Sequence, residues 1–250
     1  MPVFDSDGAE IAFSDEGEGD PILLIHGFAS NAQVNWVDTG WVRHLNRAGF
    51  RTIAIDNRGH GRSAKRYAPE DYATSKMAED ARRLLDHLGI ARADVMGYSM
   101  GARITAFLAI LHPDRVRSAI FGGLGANMVR PLAGTGPIAA ALEAATIDDV
   151  TNPTARTFRA FAESTNADRH ALAACIRGSR EPIAPEMLRG LTCPVLVAVG
   201  DQDVIGGSAT DLAAMIPGAK ALVIAGRDHM KAVGDRQYKD GVLKFLQERP

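Results

Sequence analysis

The stretch of this chain with the clearest chemical content is Asp94-Val95-Met96-Gly97-Tyr98-Ser99-Met100-Gly101-Ala102, in which an apolar run stops at Gly-x-Ser-x-Gly and a helix-forming run begins. With 25 glycines among 250 residues the spacing alone could arise by accident, but an accidental match would not sit between a strand and a helix. At such a turn the serine is held in a strained backbone geometry. A Cβ at Gly97 or Gly101 would collide with the adjacent strand and helix, so only glycine fits. Ser99 then projects its hydroxyl above the strand end at a helix N-terminus, where unpaired amides and the helix dipole favour negative charge.

A serine hydroxyl is a weak nucleophile at neutral pH. It needs an imidazole to take its proton and a carboxylate to fix the imidazole's tautomer and stabilise its charged form. Of the seven histidines, His26 and His60 belong to loop motifs, and His44, His87, His112 and His170 lie on or beside predicted helices. His229 alone falls in a loop after the last predicted strand, which makes it the candidate base. Asp201 and Asp203 both follow the strand ending at Val199. Asp228 adjoins His229, but an immediate neighbour points its side chain away. The residue types therefore point to acyl transfer, for which no metal or organic cofactor is expected.

The elements that must carry these groups alternate along the chain. A hairpin (Val3-Phe4 with Ile11 to Phe13) precedes a short, continuously apolar run at Ile22 to Ile25 and further strand-like stretches at Thr52 to Ile55, Val116 to Phe121, Pro194 to Val199 and Ala221 to Ile224. These read as strands, most of them buried on both faces. Helical periodicity covers Val37 to Ala48, Ser75 to Leu88, Ser99 to Leu111, Ala209 to Ile216 and Gln237 to Gln247. Strand–helix alternation predicts an α/β fold, a mostly parallel central sheet covered by helices on both faces. Trp36 and Trp41 read as packing residues. The loop Asp56 to Ser63 reads as a tight structural loop held by its glycines and Arg58.

One interval breaks the pattern. Between Leu124 and Leu191 there is no convincing strand, while Ile138 to Ala145, Thr154 to Glu163 and Arg169 to Ile176 look helical and alanine-rich. The expected organisation is a core of residues 1–123 and 192–250 with a helical lid insertion, 124–191, over the carboxyl ends of the strands, where open α/β sheets place their ligand crevice. Phe158 and Phe161, within that insertion, are candidate walls of a substrate pocket.

A formal charge of −2 and the absence of a basic cluster argue against nucleic acid as a partner. Two cysteines, Cys175 and Cys193, make neither a disulfide framework nor a metal motif and read as buried thiols. The first residues lack a basic, then apolar leader, and no apolar run reaches membrane-spanning length, so a cytoplasmic protein that binds no membrane is expected.

In motif order the chain resembles the α/β-hydrolase superfamily, in its lidded serine esterase and lipase-like group. Leu24-Ile25-His26-Gly27-Phe28 is similar to the family's oxyanion segment and Asp56-x-Arg58-Gly59-x-Gly61-x-Ser63 to its loop after the next strand. Gly97-x-Ser99-x-Gly101 is similar to the nucleophile elbow, with Ala102 where many relatives have another glycine. Gly200-x-x-Asp203 and Gly226-x-x-His229 match the acid and histidine positions. The resemblance favours Asp203 over Asp201 as the acid and implies an oxyanion hole built from the backbone N–H groups of Phe28 and Met100. It implies hydrolysis of a small-molecule carboxylic ester. Alternatives on the same fold are a carbon–carbon bond (diketone) hydrolase or an enol-lactonase of aromatic breakdown, and, of a different class, a ligand-binding protein without turnover.

Overall fold

The computed structural model describes residues 1–130, 135–179 and 181–249. Residues 131–134 and 180 of the predicted insertion, and residue 250, lie outside the described residues. Eight strands form one sheet: β1 Val3–Asp5, β2 Glu10–Glu16, β3 Asp20–Ile25, β4 Phe50–Ile55, β5 Ala93–Tyr98, β6 Val116–Gly122, β7 Val195–Gly200 and β8 Lys220–Ile224, in the order β1-β2-β4-β3-β5-β6-β7-β8. The β1–β2 and β2–β4 pairings are antiparallel, and every pairing from β4 to β8 is parallel.

The helices are α1 Trp41–Arg47, α2 Thr74–His87, α3 Met100–Leu111, α4 Thr135–Glu143, α5 Pro153–Ser164, α6 Arg169–Gly178, α7 Pro185–Arg189, α8 Ala209–Ala214, α9 His229–Ala232 and α10 Arg236–Glu248. Successive strand side chains point to opposite faces, and the core divides accordingly. Leu23 and Ile25 of β3 join Val95 and Val197 under Leu84 of α2, Leu108 of α3 and Leu212 of α8. Ile22 and Leu24 join Met96 and Ile120 under Leu45 of α1 and Leu246 of α10. Because both faces are covered, β3 buries the unbroken apolar run Ile22 to Ile25 on which it was predicted.

The predicted helix Val37 to Ala48 is split. A π-helical turn occupies Gln33–Val37, and α1 starts only at Trp41 because Gly40, at φ +80°, takes the left-handed conformation that breaks the path between them. Trp36 and Trp41 are both fully buried and meet edge to face.

Between β6 and β7 the described residues contain no strand. There α4, α5 and α6 build a third apolar cluster in which Leu142, Ala162, Leu172 and Ile176 pack with Phe28 and Tyr72, residues from the loops beyond the ends of β3 and β4. Side-chain caps start two of these helices. Asn152 accepts the Ala155 N–H, and Asp168 accepts those of His170 and Ala171. Among the described residues no helix is long and apolar enough to cross a membrane.

Candidate active site

Ser99 stands between β5 and α3 at φ +55°, ψ −112°, outside the regions a serine ordinarily adopts. Two close approaches hold it there. A Cβ on Gly97 would lie 2.0 Å from the Gly101 carbonyl oxygen, and one on Gly101 would lie 1.9 Å from the Ile25 carbonyl oxygen. Glycine at both positions thus lets the first turn of α3 sit directly on the ends of β5 and β3. The Ser99 N–H donates to the Gly122 carbonyl at 2.7 Å, tying the turn to β6.

The chain then returns twice to the same point. His229 Nε2 lies 3.1 Å from Ser99 Oγ, and His229 Nδ1 lies 2.7 Å from Asp203 Oδ2. The carboxylate's other oxygen accepts the N–H groups of Ile205 and Gly206 at 2.9 and 2.7 Å, so Asp203 is an acceptor on both sides. With Nδ1–H donated to Asp203, Nε2 is left as the acceptor for the serine hydroxyl. His229 opens the short helix α9 rather than lying in a free loop. Asp228 caps α9 by accepting the Met230 and Lys231 N–H groups, and Tyr98 Oη donates to the His229 carbonyl at 2.5 Å. Burial raises the Tyr98 hydroxyl well above the usual tyrosine range and keeps it a donor. Asp201 faces elsewhere and accepts the Gly226 N–H at 2.8 Å.

The segment after β3 makes a turn closed by the Ser30 N–H on the Gly27 carbonyl, 3.3 Å, with Ala29 at φ +60°. Asn35 Oδ1 accepts the Gly27 N–H at 3.1 Å and anchors its start. Among the described residues, neither the Phe28 N–H, inside this turn, nor the Met100 N–H, at the first position of α3, has a hydrogen-bond acceptor. Behind the turn, His26 donates Nδ1–H to the Gly27 carbonyl at 2.7 Å and accepts the Asn57 N–H on Nε2 at 2.9 Å. His60 lies beside it, ring centroids 5.1 Å apart. Burial lowers His26 to about 4 and His60 to about 3, so both are neutral at physiological pH. Arg58, in the same loop, makes a two-pronged ion pair with Asp80, both contacts 2.7 Å, and is structural.

Two cavities open at Ser99, of about 370 and 440 Å³. Phe28 and Phe158 line both, their rings edge to face with centroids 5.9 Å apart, and Phe161 lines the second. Met100 lines the first, and His229 lines the second. Sequence reasoning did not single out Arg103, Asn35, Val204 or Ile205, which also face these cavities. Arg103 was within reach of a local signal, since it lies four residues after Ser99 and so one turn along the same helix face. Asn35 was not, because only the tertiary path brings it to Gly27. No group of three or more His, Cys, Asp or Glu gathers at metal-binding distance among the described residues.

Residues 20–134 match the family model described as the alpha/beta hydrolase fold. A 2-hydroxymuconate semialdehyde hydrolase from Pseudomonas putida is 37% identical over 132 residues, covering 52% of this chain and 43% of that protein. The match thus spans less than half of that relative's own length. Among solved structures, a hydrolase from Pseudomonas aeruginosa PA01 superposes with a TM-score of 0.82 at 25% identity, covering 98% of this chain and 97% of the other. An esterase from Thermogutta terrifontis, solved with malate bound, superposes with a TM-score of 0.79 at 24% identity over 98% and 96%. The strand order, the strained serine between β5 and α3 and these likenesses together give the chain the α/β-hydrolase fold.

Proposed function

We propose that the protein is a serine hydrolase that cleaves a carboxylic ester through an acyl-enzyme. The observation that carries this reading is the unbroken hydrogen-bond chain from Ser99 through His229 to the buried Asp203, ending at the mouth of two cavities. In the first step His229 Nε2 takes the Ser99 proton as Oγ attacks the ester carbonyl, and Asp203 stabilises the imidazolium that forms. The free N–H groups of Phe28 and Met100 receive the developing oxyanion. The imidazolium returns its proton to the departing alkoxide. Water, deprotonated by the same histidine, then attacks the acyl-enzyme and releases the acid. The helices α4 to α6, packed around Phe28, would serve as the lid that shields these steps from bulk water.

A second reading within the fold is hydrolysis of a carbon–carbon bond or an enol-lactone. The likeness to the 2-hydroxymuconate semialdehyde hydrolase favours it as the runner-up.

The deciding experiment assays wild type and Ser99→Ala on alkyl esters of increasing chain length, a lactone and a vinylogous diketone, alongside labelling with a fluorophosphonate. Ester turnover in wild type, a loss of about 10⁶-fold in the variant and a single label on Ser99 are expected. Turnover of the diketone alone moves the assignment to the runner-up. Labelling of a different serine, or full activity in Ser99→Ala, overturns both.

A further inference from the structure

Arg103 lies one turn beyond Ser99 on α3 and is only 4% exposed. Its Nη2 donates to the Met128 carbonyl at 2.9 Å and its Nη1 to the Glu181 carbonyl at 3.2 Å. Among the described residues no carboxylate pairs with it. The Glu181 carboxylate is turned to Ser75, accepting its N–H at 2.7 Å and its hydroxyl at 2.9 Å. A guanidinium has five N–H donors, so two neutral carbonyls leave this buried cation without a counter-charge. Burial lowers its pKa to about 10, and at neutral pH it is still charged.

The cavity that Arg103 lines is also bordered by Arg130, which is exposed, and among the described residues no Asp or Glu contributes to its wall. Two cations on one small cavity without an acid create a field that favours an anion. The second cavity differs in kind. Val34, Phe161, Met230 and Val233 border it, and among the described residues no Arg, Lys, Asp or Glu lines it.

Protonation decides which half of an ester enters which cavity. The group that protonates the leaving oxygen must be within hydrogen-bond reach of it. His229 borders the apolar cavity and not the cationic one. The alcohol therefore leaves on the apolar side, and the acyl chain lies along α3 toward Arg103.

We infer that the substrate's acyl group ends in a carboxylate and that Arg103 is its receptor, so that the enzyme prefers half-esters of short dicarboxylic acids with an apolar alcohol. This deepens the ester-hydrolase reading and rests on it. Ser99 and Arg103 are separated by four residues of helical rise, roughly 6 Å along the axis, which suits about two to four methylenes between the scissile carbonyl and the carboxylate.

The test compares the mono-n-butyl ester of glutaric acid with n-butyl hexanoate, a neutral ester of similar length, by following butanol release. In wild type, kcat/KM for the half-ester is expected to exceed that for the neutral ester about tenfold or more at low salt. The gap should lie mainly in KM and narrow as salt is added. Arg103→Met should reduce the ratio about tenfold, and Arg103→Lys should retain part of it. An Arg103 that only braces Met128 and Glu181 would slow both esters by one factor and leave the ratio unchanged, which overturns the inference. So does a wild-type preference for the neutral ester. If Arg103→Met does not fold, the wild-type ratio and its salt dependence decide alone. If neither ester is cleaved, the hydrolytic reading fails, and calorimetry of the half-ester with wild-type protein judges the receptor separately. Absence of binding, or equal binding by Arg103→Met, overturns it.

Discussion

Asp203 holds His229 across 26 residues of sequence, its Oδ2 2.7 Å from Nδ1, whereas Asp201, two positions earlier on the same loop, spends its carboxylate on the Gly226 N–H. The two acids are near neighbours in sequence but differ in what they do. Asp203 is buried with both oxygens occupied, one by the imidazole and one by the amides of Ile205 and Gly206. A carboxylate so anchored selects the tautomer that leaves Nε2 free to accept.

This contrast predicts opposite consequences for two conservative changes. Asp203→Asn allows His229 to settle in the other tautomer and should lower kcat by about 10⁴-fold. Asp201→Asn keeps an acceptor for Gly226 and should stay within a few fold of wild type, about the effect of a surface change. Steady-state kinetics on one ester rank the pair, and the reverse ranking would make Asp201 the acid.

Phe28 predicts a limit on the alcohol. The turn that frees its N–H has a single glycine before it, and the phenyl ring is wedged between His60 and Phe158, so the wall beside the oxyanion cannot easily retreat. A tertiary alcohol carbon would crowd this wall more in the tetrahedral intermediate than in the ground state, which raises the acylation barrier and does not merely weaken binding. Esters of primary alcohols should be turned over and esters of tertiary alcohols should not. Comparison of kcat/KM for the n-butyl and tert-butyl esters of one acid checks this, and comparable values refute it.

The buried histidines predict how stability depends on pH. His26 and His60 are held near 4 and 3, below the ordinary value of 6.5, because burial penalises their charged forms. As pH falls through 6.5 the unfolded chain takes up protons at both positions while the folded chain does not. Proton binding then favours unfolding. Their contribution is fully present above about pH 6.5 and is lost toward pH 4, at about 1.4 kcal/mol per pH unit for each histidine. Urea unfolding between pH 7.5 and 4.5 should show this slope, and His60→Gln should remove about half of it. An unchanged slope in the variant would show that His60 is not held neutral.

Much of this molecule is readable from local pattern. Buried parallel strands need unbroken apolar runs, and amphipathic helices need apolar residues at helical spacing, so most elements declare themselves within a few residues of their bounds. The serine turn shows itself in the local spacing of Gly97, Ser99 and Gly101, although the atom that keeps Gly101 free of a Cβ is the Ile25 carbonyl oxygen of β3. His229 could be named because the order of elements puts a loop after the last strand at the carboxyl ends of its neighbours, although it proves to open a short capped helix. Periodicity specifies which face a residue occupies, not what it meets there. Which of Asp201 and Asp203 meets His229, the Asn35 anchor on Gly27, the Tyr98 bond to the His229 carbonyl and the lack of a carboxylate partner for Arg103 among the described residues all depend on where the chain returns in space. Only the tertiary structure decides them, because hydrogen bonds and charge pairs are made over about 3 Å, while Tyr98 and His229, for one, lie 131 positions apart in the sequence.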